Sequence, residues 1–389
     1  MVLAGLTQIF TGVSESFAIL CLMRVLHAAF NSITNPLFYS LVADYFPQNQ
    51  RGTANSILQS ANYIGIAFSS ISVILISKLG WRSTYTLMGA IGIGLAIIGN
   101  FFVKEPHKRL RFQAKYRAEQ KYRKVRTRSS SIDSSSDEEI KSNKAYVNKE
   151  GKLVREELLP PESIWQKLKS SAMDIWKKPT TTYVTLAGMF TKFSDMAITC
   201  FIPIFFLRTY PSYKTTYAML NALILAILGF SSNIIGGIVS DRMEGKNPKF
   251  KAHLCTFSNI SSCILLPLCF MGHGNFWISL LAMSVNVLLT GGQASAAITM
   301  LQNAVSTEEV GKIIGAYNMF TSLTATAAPI LFGYLATSVY NAKLNPVYYG
   351  RLLIGFVLGG YLPAAFLFHL AGKKVAEEAE AKGQDNDGG

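Results

Sequence analysis

Ionisable and amide side chains inside long apolar runs are the residues of this chain that could do chemistry. In hydrocarbon such groups are costly unless they face water, a ligand or a partner helix. Three sets stand out. Lys192, Asp195 and Thr199 fall at i, i+3 and i+7 of one run and so share one side of a helix. Arg24, His27, Asn31 and Asn35 repeat the pattern in a second run, and Asn286, Thr290 and Gln293 in a third. At this spacing Lys192 and Asp195 neutralise one another. An anionic solute that displaced Lys192 would leave Asp195 free to take up a proton, which would couple transport to protons. Arg24, His27 and Lys192 outnumber Asp195, so the set predicts attraction of an anion or of a zwitterion's carboxylate. The competing role for each amide and hydroxyl is plain helix-to-helix bonding, worth about 0.6 to 2 kcal/mol. For Lys192 and Asp195 it is structural pairing, and for His27 an ordinary hydrogen bond.

The elements that must hold these groups are membrane helices. Half of the 389 residues are apolar (50%) and only 15% are charged, in a few segments, which no soluble core requires. Nine apolar runs each approach the roughly 20 residues a helix needs to cross a bilayer. They are 17–45, 53–79, 82–103, 181–207, 216–240, 253–271, 276–304, 311–340 and 347–370. Strand-type alternation is absent, which argues against an outer-membrane barrel. The fold class expected is therefore all-α and polytopic. A tenth stretch, 1–13, is too short to span and stops at Ser14-Glu15-Ser16, so the chain is expected to begin inside a helix. The five cysteines have no metal-ligand spacing and read as small apolar packers.

The expected domains are an N-terminal helical part (1–103), a polar segment (104–180), a C-terminal six-helix half (181–370) and a tail (371–389). The net charge of +14 lies in loops beside the membrane, where anionic lipid accounts for it and nucleic acid is not called for. Because basic loops stay in the cytoplasm, the central segment, the Arg242–Lys251 loop and the C-terminus are expected there. The segment carries a basic run, 108–128, and an acidic serine cluster, and is expected to be largely disordered. Arg126-x-Arg128-x-x-Ser131 makes Ser131 a phosphorylation candidate, with Ser134, Ser135 and Ser136 beside it. The alternative is a solvated linker. Further on, Ile164, Leu168, Ala172 and Ile175 share a face, predicting an interfacial helix near 163–177.

Four landmarks then follow in order: Arg24 with Pro36, Asp44-Tyr45-Phe46-Pro47 before Arg51-Gly52, Gly80-Trp81-Arg82, and Lys104-Glu105-Pro106. With Gly237-x-x-x-Asp241-Arg242 and Gly245-Lys246, this pattern resembles the major facilitator superfamily, including its spinster-like and organic-anion branches. The resemblance runs from part of the family's helix 3 through helix 12, without helices 1 and 2. It implies two helical halves that rock about a central cavity, with the three polar stripes on the cavity helices 4, 7 and 10. It also implies gating roles for Asp44, Arg51, Gly237, Asp241, Arg242 and Lys246. Ala28 and Asn31 stand where the family often has Gly and, in those branches, Glu, so no acidic coupling residue is implied there. Gly65-x-x-x-Ser69 replaces the Gly-Pro of antiporters, so exchange is not implied.

No phosphate-cradling glycine loop, metal cluster or nucleophilic triad appears, so neither cofactor nor enzyme chemistry is expected. The reading is a secondary transporter of a small organic solute, with lipid, substrate and protons as partners. Two alternatives stay open from sequence: a non-transporting membrane scaffold, and a fragment of a twelve-helix transporter.

Overall fold

A computed structural model describes residues 1–102, 145–147, 153–155, 173–271, 274–307, 309–339 and 346–387, some as backbone alone. In chain order the helices are α1 (Val2–Val13), α2 (Phe17–Ser32), α3 (Thr34–Tyr45), α4 (Arg51–Phe102) and α5 (Pro179–Thr209). There follow α6 (Lys214–Leu223), α7 (Phe230–Glu244), α8 (Phe250–Phe270), α9 (Phe276–Thr290), α10 (Gln293–Ala304), α11 (Val310–Tyr334) and α12 (Pro346–Asp387). Among the described residues the other β structure is absent save one short antiparallel ladder, β1 (Ala145–Val147) with β2 (Leu153–Arg155), paired Tyr146 to Val154. That ladder lies in the separate unit 100–170. The rest of the polar segment up to residue 172, with the serines Ser131, Ser134, Ser135 and Ser136, falls outside the described residues.

Among the described residues, seven helices or joined helix pairs are long and apolar enough to cross a membrane, including Phe17–Tyr45, Pro179–Thr209 and Pro211–Glu244. Backbone groups have no water to bond in hydrocarbon, so helices that satisfy their own N–H and C=O groups are the form such runs take. The expected runs 53–79 and 82–103 lie together in α4, which turns sharply at Gly80 (φ 77, ψ 161). That backbone region is open to glycine and strained for other residues. α6 passes into α7 through a π-helical turn, Ile224–Gly229.

Two apolar clusters organise this helical unit. One is aromatic and C-terminal, with Phe205, Phe206, Phe332, Tyr349 and Phe356 at its heart. The other joins Tyr39 and Ala43 of α3 to Ala296, Ala297, Ile313 and Ile314, and so fastens the N-terminal helices to the C-terminal half. Small residues dominate this second seam because they let helix backbones approach closely. Only 173–177 of the expected interfacial helix is described; there Ile175 is fully buried in protein, and Trp176 packs edge-on against Phe320.

Candidate functional site: a buried latch and a half-open charge pair

α4 begins at Arg51 with backbone N–H groups that no residue of its own helix can satisfy. Asp241, near the end of α7, satisfies them across the seam: Gly52 N donates to its Oδ1 at 3.1 Å, and Thr53 N and Oγ1 donate to its Oδ2 at 2.6 and 2.9 Å. A carboxylate at this place also complements the positive end of the helix dipole. Lys251 Nζ lies 3.0 Å from Asp241 and 2.5 Å from Glu244. The Lys251 and Asp241 side chains are 1% and 5% exposed, so this ion pair is buried, its one ammonium shared between two carboxylates.

Arg51 binds in the other direction. Its guanidinium donates to the carbonyls of Ala43 (2.9 Å), Phe46 (3.2 Å) and Gln302 (3.2 Å) and to Asn303 Oδ1 (3.2 Å). Burial lowers the Arg51 pKa from its ordinary value, and the nearby Asp44 charge counteracts this. One turn into α4, Asn55 Nδ2 donates to Thr299 Oγ1 and Gln302 Oε1 at 2.8 and 2.7 Å, and Gln302 Nε2 donates to the Tyr39 carbonyl at 2.8 Å. Two glycines permit the approach. A Cβ at Gly52 would overlap the Asp241 carboxylate, and one at Gly237 would overlap the Ser56 side chain. The latch thus gathers Asp44, Arg51, Gly237 and Asp241 of the residues expected there. Arg242 and Lys246 are exposed instead, because they fall past the face of α7 that meets α4. Lys251, which sequence reasoning missed, takes the counter-ion position.

Deeper in the bundle, Lys192 Nζ lies 3.3 Å from Asp195 Oδ2, and Tyr361 Oη donates to Asp195 Oδ1 at 2.8 Å. These side chains are 44% and 38% exposed, so the pair is half open. Tyr63 of α4 and Tyr317 of α11 lie within electrostatic reach of Asp195. The Tyr63 ring rests on Gly229 in the π turn, and the Tyr317 ring on Gly188. Tyr361 thus binds this carboxylate directly, and the other two tyrosines act on it only through space. Thr199 of the same stripe is exposed.

The other two stripes do not converge on this point. Arg24 stacks over the Tyr85 ring at 4.4 Å, and His27 Nδ1 bonds the Ala4 carbonyl at 3.0 Å, turning to α1. Asn31 and Asn35 are exposed. Asn286 accepts from Ser262 Oγ of α8 at 2.9 Å, and Thr290 Oγ1 donates to the Asn286 carbonyl of its own helix at 2.9 Å. Gln293 is buried beyond the break at Gly291-Gly292, and its Nε2 has no hydrogen-bond partner among the described residues. Gln59 Nε2 and Asn318 Nδ2 share that condition. Among the described residues no cluster of metal-ligating side chains is found.

Two helical sets joined by a buried latch, with ionisable residues inside the spans, define a membrane transport fold, and the comparisons agree. The sequence profile described as Major Facilitator Superfamily matches residues 1–329, and the chain belongs to that family. It is similar to the probable galactarate/D-glucarate transporter GudP of Bacillus subtilis (24% identical, covering 87% of this chain and 69% of that protein). It is also similar to the probable galactarate/D-glucarate transporter GarP of Escherichia coli K12 (22%, covering 80% and 64%). The chain thus spans 64% to 69% of the length of these two relatives. Among solved structures, a bacterial homologue of the human lysosomal transporter Spinster has the same fold (TM-score 0.56, 16% identical, covering 97% of this chain and 82% of that one). So does the proton:xylose symporter XylE (TM-score 0.56, 12% identical, 92% and 78%). The protein is a multi-pass membrane protein of a transporter family, and its relatives are transporters rather than enzymes.

Proposed function

We propose that this chain carries a small organic anion of the sugar-acid class across a membrane by alternating access, with Lys192 as the anion's anchor and Asp195 as the proton-coupling group. The observation that carries the reading is the half-open Lys192–Asp195 pair: an ammonium held by one carboxylate at 3.3 Å, inside a span, with both side chains partly exposed. An incoming carboxylate competes directly for Lys192. Asp195 then keeps its bond from Tyr361 but loses its cation, which favours uptake of a proton. The named substrates of two relatives, galactarate and D-glucarate, have the chemistry such a site would take.

In this reading the latch end faces the cytoplasm, in line with the exposed basic residues Arg242, Lys246 and Lys373 beside it. The latch closes that end while the pair is reachable from the other side, and rocking of the halves reverses access. The test is uptake of radiolabelled D-glucarate into proteoliposomes holding the full-length protein, with and without an inward proton gradient. Proton-stimulated uptake that is lost in Lys192→Gln supports the reading. Uptake by Asp195→Asn with unchanged pH dependence would remove the coupling role, and no uptake of any sugar acid would remove the substrate class.

A further inference from the structure

At the latch end of the bundle, α8 and α12 cross so closely that a Cβ on Gly372 would come within 2.8 Å of Ala252 Cβ and 4.0 Å of Lys249 Cβ. This crossing aligns two stripes. On α8, Lys249 and His253 are one turn apart and lead to the exposed Phe257 and Ile264. On α12, Lys373 and His369 are one turn apart and lead to the exposed Phe366 and Leu362. The two imidazoles meet across the cleft, with ring centroids 6.2 Å apart. Two lysines and two histidines thus lie at one end of the α8–α12 crossing, followed along both helices by exposed apolar side chains.

The carboxylates nearby are occupied elsewhere. Glu377 pairs with Lys374 at 2.6 Å, Glu378 accepts from Thr180 at 2.7 Å, and Glu244 is held by Lys251. Among the described residues Lys249, His253, His369 and Lys373 have no carboxylate partner. A scattered belt of basic residues at helix ends is the ordinary pattern of membrane proteins. Here the donors come from two helices and converge on a single opening, with aromatic and branched side chains continuing directly below them into the hydrocarbon depth. A ligand matching both parts has a phosphate at the interface and acyl chains beneath it.

We propose that the α8–α12 cleft binds an anionic phospholipid of the leaflet at the latch end, its phosphate between Lys249, His253, His369 and Lys373 and its chains along Phe257 and Phe366. Basic openings between membrane helices commonly take anionic headgroups, each cation near the surface adding to the attraction. Because Lys251 of the latch lies on the first turn of α8, a lipid fixed to Lys249 and His253 also steadies the helix end that holds Asp241.

The experiment is native mass spectrometry of the full-length protein released from nanodiscs of phosphatidylglycerol mixed with phosphatidylcholine. The wild type is expected to retain phosphatidylglycerol selectively. The double variant K249Q/K373Q should lose that preference by roughly 30-fold, following the contribution per basic residue, while K246Q/K312Q, with the same loss of charge, should keep it. H253Q/H369Q should weaken it less. The proposal is overturned if the wild type shows no preference, if both lysine pairs reduce it equally, or if free inorganic phosphate displaces the lipid at equal concentration, which would mean an anion site that ignores the chains.

Discussion

The buried latch and the central pair use the same chemistry, a lysine against a carboxylate, to opposite ends. Asp241 has its acceptor capacity filled by two backbone N–H groups, a hydroxyl and Lys251, all shielded from solvent. Asp195 has one lysine at 3.3 Å and one tyrosine, and stays partly open. A buried and saturated carboxylate has no valence left for a ligand, so its energy is committed to holding two helix ends together. A half-open carboxylate contributes little to stability, since exposed pairs are worth about 0 to 1 kcal/mol, and its partner can be exchanged. In the proposed reading, saturation, more than the presence of charge, separates a closing device from a binding device.

That contrast breaks most directly at Asp241. Asp241→Asn leaves Lys251 held by Glu244 alone and weakens the cap on α4, and a buried donor left unsatisfied costs about 1 to 3 kcal/mol, more for a charged group. Thermal unfolding of the purified protein should show a large drop for Asp241→Asn and almost none for Asp195→Asn. Equal drops would mean that the central pair is structural. Second in size, Gly237→Val should hold the latch apart through the Ser56 side chain, at a cost of about 1 to 3 kcal/mol. A cysteine placed at Ser56 should then label faster with an aqueous maleimide, and unchanged labelling would show that the seam adapts.

Lys192→Gln sharpens the other side of the comparison. A charge-assisted bond to a substrate carboxylate contributes about 1.5 to 3 kcal/mol, so KM for a dianionic sugar acid should rise by roughly tenfold or more. Unfolding should stay within about 0.5 kcal/mol of wild type. A fall in stability with KM unchanged would reverse the assignment of this pair.

How much of this could be read beforehand follows from the same physics. Lipid imposes a length and an apolarity on each span, so the helices, the turn at Gly80 and the family pattern were legible in the chain. Asp241 and Gly237 were legible because they lie in one short motif. Lys251 was not, since its place depends on how closely Gly52 and Gly237 let α4 approach α7. Tyr63, Tyr317 and Tyr361 were equally hidden. Tyrosine is ordinary in membrane helices, and only the fold brings residues so far apart in sequence to one carboxylate. Helical periodicity identified the Asn286, Thr290 and Gln293 stripe but could not say which neighbour it meets. The structure turns Asn286 to Ser262 of α8.

The smallest expected effect tests that last placement. If Asn286 serves to join α9 to α8, Asn286→Ala should lower stability by about 0.6 kcal/mol, the average of polar contacts between membrane helices. Ser262→Ala, which also removes a hydroxyl bonded to the Ser258 carbonyl of its own helix, should cost at least as much, and the double variant no more than Ser262→Ala alone, because the two share one bond. The kinetic constants for a sugar acid should not move. If Asn286→Ala raised KM while Ser262→Ala did not, the amide would be reaching substrate in another arrangement of the halves. The line between saturated and open polar groups would then have to be drawn for each state of the transporter, not for the latched one alone.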